Sequence, residues 1–146
     1  MTPMRWRQTG HALGLLFSAA LLSYVLSVLA ARLVGLPLAH LARGWESTVA
    51  RVLLGVLALE GTRLVVLLGA AFLLGPSIAL RPTIAATTLV LLTYLFDALV
   101  ALVLGQLPWL FGTPAVLLCR AAAAALGVWL CALVFRRRSP APGPRG

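Results

Sequence analysis

Apolar residues come in four long runs along this chain, separated by short stretches where arginine, proline and glycine gather. The first occupies 11–31 (HALGLLFSAALLSYVLSVLAA), between Arg5/Arg7 and Arg32. The second occupies 52–74 and closes at Gly75-Pro76. The third occupies 84–104, opening after Arg81-Pro82 and closing at Gly105-Gln106-Leu107-Pro108. The fourth occupies 114–135, with Thr113 placed to cap it, Pro114 suited to its first turn, and Arg136, Arg137 and Arg138 as a hard stop. About 20 apolar residues in a helix cross a hydrocarbon core of about 30 Å, and every run is that long. The pattern predicts an all-α integral membrane protein with four transmembrane helices in an up-and-down bundle. It forms one domain over 1–138, followed by a disordered Pro/Gly tail at 139–146.

Composition points the same way. Of 146 residues, 62% are hydrophobic and 10% charged, a balance that would leave a soluble domain of this size covered in apolar surface. The lipid bilayer is therefore the first expected partner. All 12 basic residues are arginine. With four spans both termini share a side, which holds Arg5, Arg7, Arg81 and the 136–138 triplet, against Arg32, Arg43 and Arg51 opposite. The excess places both termini in the cytoplasm. The net charge of +9 reads as anchoring against anionic headgroups and not as nucleic-acid binding, because no basic run is interleaved with stacking aromatics. Arginine in place of lysine, with abundant Ala and Leu, suits a bacterial chain, so the expected location is the cytoplasmic (inner) membrane. The first apolar stretch is too long for a signal-peptide core and is expected to stay uncleaved.

Two connections carry aromatic anchors. Residues 36–46 place Leu38, Leu41 and Trp45 at helical spacing, which predicts a short segment in the outer interface with Trp45 at headgroup level. Trp109 and Phe111 in GQLPWLFGT belong to the same belt, and Arg136, Arg137 and Arg138 anchor the opposite surface. Within the spans, small residues recur at four-residue spacing, which lets membrane helices approach closely. The rows are Gly10/Gly14/Ser18 and Ala19/Ser23/Ser27/Ala31 in the first span, Gly61 and Gly69 in the second, Ala101/Gly105 in the third and Ala123/Gly127/Cys131 in the fourth. Such rows serve contacts within the chain or with another subunit alike.

Charge inside the apolar runs is the candidate chemistry. Glu60 and Arg63 interrupt the second span (LALEGTRLVV), Asp97 the third and Arg120 the fourth. Counting at 1.5 Å per residue puts Arg63 at the midplane, Glu60 and Asp97 about 4.5 Å outward of it and Arg120 about 7 Å outward. All four then share one thin layer. A charge at this depth costs between about 3 and 15 kcal/mol, and pairing inside the bundle reduces that cost. The spacing pairs Glu60 with Arg63 at i, i+3, and Asp97 with Arg120 or Arg63 across helices, with Thr62, Thr93 and Tyr94 available for remaining hydrogen bonds.

Other chemistries find no residue set. His11 and His40 lie a bilayer apart, which excludes paired haem ligation. Two His and two Cys do not build a usual metal site, so neither metal nor cofactor is expected. Cys119 and Cys131 lie about 18 Å apart along one helix and cannot bond to each other. Ser18, Ser23 and Ser27 have no His at their depth, and two arginines beside Glu60 and Asp97 oppose aspartyl catalysis, so no enzyme is expected. The expected role is a structural or accessory subunit of a larger membrane complex or homo-oligomer, with the ion layer organising helix packing. The alternative is a small proton- or ion-coupled transporter or channel that uses that layer.

Overall fold

The computed structural model describes residues 3–41, 44, 47–78, 80–106 and 113–138. The anchors Trp45, Trp109 and Phe111 and the 139–146 tail lie outside those residues. Four helices carry the chain: α1 (Pro3–Leu41), α2 (Thr48–Leu74), α3 (Pro82–Val103) and α4 (Pro114–Arg138). All four are long and apolar enough to cross a membrane.

Helix ends follow local chemistry. Ser47 caps α2 by accepting the Ala50 N–H at 3.3 Å. α2 stops at Gly75-Pro76, because Pro76 has no N–H to continue the ladder, and a 3₁₀ turn follows over Gly75–Ser77. α3 opens with Pro82 in its first turn. It closes in a Schellman arrangement: Gly105 at φ +66° donates to the Leu102 carbonyl and Gln106 donates to that of Ala101. Gly105, assigned to packing by its spacing, is thus the left-handed residue that ends α3, and it is exposed.

The first helix departs from the expected boundaries. It begins at Pro3 and continues through Pro37 to Leu41, so residues 36–41 belong to α1 and are not the start of a separate segment. Proline deletes one backbone hydrogen bond without forbidding the helix, and membrane helices tolerate it. Its 39 residues amount to about 58 Å, well beyond a hydrocarbon core of about 30 Å, so α1 must tilt or project.

Side-chain contacts fix the directions. Arg120 meets Glu60, the Cβ position of Gly127 meets Leu64, and Arg138 meets Phe72, so α2 and α4 run parallel. Arg120 meets Asp97 and Gly127 lies by Val90, so α3 and α4 run antiparallel. Around the bundle the order is α1, α2, α4, α3, with α2 and α3 across the diagonal. The chain therefore alternates direction as expected, but between α2 and α3 it crosses the bundle instead of passing to a neighbour. This crossover seats α4 between α2 and α3.

The apolar core fills the half of the bundle nearest the 3₁₀ turn: Leu16 and Ala20 of α1, Leu67 and Ala71 of α2, Ala85, Ala86, Leu89 and Val90 of α3, and Cys131 and Phe135 of α4. Val56, Ala101 and Val116 are buried toward the other end. Three hydroxyls inside the helices are satisfied by their own backbones. Ser27 donates to Ser23 O at 2.5 Å, Thr93 to Leu89 O at 2.9 Å, and Thr62 to Ala58 O and Leu59 O.

The small-residue rows divide. Ser23, Ser27, Ala101 and Gly127 are buried between helices and Ala123 is half-buried, whereas Gly10, Gly14, Ser18, Gly61 and Gly69 face outward. A Cβ on any of those four outward glycines would meet nothing within 4 Å. Gly75 is the opposite case, because an added Cβ there would overlap the Cβ of Arg138, one carbon from the α4 backbone. Gly75→Ala must push α4 aside and should destabilise the protein by about 1–3 kcal/mol, as overpacking does. A lower thermal midpoint in detergent, with faster hydrogen exchange in the last turn of α4, would register it; an unchanged midpoint would mean this approach is not tight.

Candidate functional site: the intramembrane ion layer

The four charges counted into one layer from sequence meet in the structure. Arg63 Nη1 donates to Glu60 Oε1 at 3.1 Å and Oε2 at 3.3 Å, on one face of α2 as i, i+3 spacing requires. Arg63 Nη2 stands 3.0 Å from Asp97 Oδ2, at an angle too oblique for a hydrogen bond. Arg120 Nε donates to Glu60 Oε1 at 3.0 Å, and Arg120 Nη2 donates to Asp97 Oδ2. The contacts close a ring: Glu60, Arg63, Asp97, Arg120 and back to Glu60. Each carboxylate holds both arginines, and the formal charge of the ring is zero.

Burial is graded around the ring. Arg63 is 1% exposed and Glu60 3%, against 11% for Arg120 and 15% for Asp97. The α2 pair lies sealed in the interior, and the Asp97/Arg120 pair forms the open edge. An isolated charge at that depth would be very costly, and here each faces two of opposite sign. The planar forks of the guanidiniums let one side chain serve two acceptors in a fixed geometry, where lysine would present a single point charge.

The structure also settles the supporting cast. Tyr94 joins the ring, donating its hydroxyl to Glu60 Oε2 at 2.5 Å, while the Arg63 guanidinium carbon lies 4.6 Å from the centroid of its ring. Glu60 therefore accepts from Arg63, Arg120 and Tyr94 together. Thr62 and Thr93 stay out of the ring, because their hydroxyls are committed to the backbone one turn back. Two features escape the depth count. Arg120 bridges Glu60 as well as Asp97, since α4 sits between α2 and α3. Tyr24 of α1 lies within Coulombic range of Asp97 and Arg63; the only sequence signal for it is a phenol in the middle of an apolar span.

The paired charges tie α2, α3 and α4 to one another. Among the described residues no group of three or more His, Cys, Asp or Glu is placed to hold a metal ion. Cys119 and Cys131 are free thiols, half-buried and buried. No protein-family model matches the chain, and neither a curated protein nor a solved structure matches it.

Proposed function

We propose that this chain is a structural or accessory subunit of a larger membrane complex or of a homo-oligomer, seated in the cytoplasmic membrane of a bacterium with both termini in the cytoplasm. The observation that carries this reading is the closed ion ring. Each of the four intramembrane charges has its partners inside the chain, so the ring acts as an internal lock and leaves no charge that must wait for a ligand. The described surface outside it is largely apolar, with Leu22, Leu29, Val65, Leu73, Leu91, Val103 and Leu118 each more than half exposed. The chain then works through lateral contacts in the bilayer and has no catalytic role of its own.

One observation favours a second reading. Asp97 and Arg120 retain 15% and 11% exposure, and an accessible carboxylate deep in a bundle is what an ion- or proton-coupled carrier needs. One pair of measurements separates the two. Extraction of a tagged copy into nanodiscs at native abundance, followed by native mass spectrometry, should recover another membrane protein in fixed stoichiometry or a defined homo-oligomer. A lone protomer that conducts protons or ions in liposomes, and loses that flux on Asp97→Asn while remaining folded, would replace the structural reading with transport.

A further inference from the structure

Four arginines of the described chain collect at one end of the bundle. Arg136, Arg137 and Arg138 end α4, and Arg138 stacks on Phe72 of α2 with its guanidinium carbon 3.4 Å from the ring centroid. The register of α3 against α4, set by Asp97 on Arg120 and Val90 by Gly127, brings Arg81 opposite Arg136. Arg81, Arg136 and Arg137 are exposed. The chain has only three acidic residues, of which Glu60 and Asp97 are in the ion layer and Glu46 precedes the far end of α2 in sequence. Helix dipoles do not neutralise this end. The C-termini of α2 and α4 supply about −0.5 each and the N-termini of α1 and α3 about +0.5 each, so the dipoles cancel and leave about +4 uncompensated.

We propose that this end of the bundle, at Arg81, Arg136, Arg137 and Arg138, is a binding site for the headgroup of an anionic phospholipid. Guanidinium groups match phosphate oxygens through paired hydrogen bonds. Stacking on Phe72 holds Arg138 in place, so less side-chain freedom is lost when an anion arrives. What selects a lipid over a soluble anion is the surface immediately below. Leu73 is 77% exposed, and Phe72 and Ile84 are 50% exposed, all within a turn or so of the arginines. An acyl chain covers such a surface and a free phosphate does not. The site differs from a general basic coat because its arginines come from α3 and α4 at one register, with Phe72 of α2 as a floor.

The test compares two variants of equal net charge. Arg81→Gln/Arg136→Gln removes two arginines from the site, and Arg32→Gln/Arg51→Gln removes two exposed arginines at the other end. Native mass spectrometry would follow retention of phosphatidylglycerol and phosphatidylcholine by the full chain released from mixed nanodiscs. Wild type should keep phosphatidylglycerol in preference. The site variant should weaken that binding by roughly 10-fold or more, in line with the contribution of each basic residue at an anionic surface. The charge-matched variant should change it by less than about twofold. Equal loss in both variants would mean that net charge alone attracts the lipid, and would overturn the site. No preference for phosphatidylglycerol in wild type would overturn it too, as would tighter binding of a polyglutamate peptide, which would make this the surface for an acidic protein.

Discussion

Glu60→Gln should cost the bundle about 3–5 kcal/mol, the range for removing one member of a buried ionic set. Glu60 accepts from Arg63, Arg120 and Tyr94. The amide keeps the shape but removes the charge and turns an N–H₂ toward groups that are themselves donors. Two arginines would then share Asp97, leaving the layer one charge positive in a low-dielectric interior where an uncompensated charge is least tolerated. Reversible unfolding in mixed micelles, read by helical signal against denaturing detergent fraction, measures it. A loss under about 1 kcal/mol would mean that the ring relaxes or hydrates freely, and would end its description as a lock.

Arg63→Met should be of similar size, about 3–5 kcal/mol, for the opposite electrostatic reason. Methionine fills much of the same volume with a flexible apolar chain, so the loss is chiefly of charge: Glu60 and Asp97 would be left with Arg120 alone. Adding Asp97→Asn to this variant restores a neutral layer of Glu60 and Arg120. The double variant should therefore be more stable than the sum of the single losses predicts, by about 1–3 kcal/mol. Additivity within about 0.5 kcal/mol would mean that the two residues do not act as one unit. The same cycle bears on function, because a carrier would lose transport in the double variant whatever its stability.

That the four charges share one level could be read from the sequence because helical rise is constant and the run boundaries are marked by Pro, Gly and Arg. Counting alone placed Glu60, Arg63, Asp97 and Arg120 in one layer, and the structure joins them. Counting could not assign partners. It left Asp97 with Arg120 or Arg63, whereas Asp97 faces both, and it did not bring Arg120 to Glu60. It also offered Thr62 and Thr93 to the layer, which their own backbone carbonyls hold instead.

What the sequence by itself determined is the number of helices long and apolar enough to cross a membrane and the common level of the charges, since hydropathy and rise per residue are properties of a single helix. The tertiary structure alone decided the order of helices around the bundle and which side of each helix faces inward. Small-residue rows look the same whether they meet a neighbour or lipid, so Gly127 is buried while Gly10, Gly14, Gly61 and Gly69 face out. The rotation of each helix, and with it the closure of the ion ring, depends on four surfaces packing at once, with α4 set between α2 and α3.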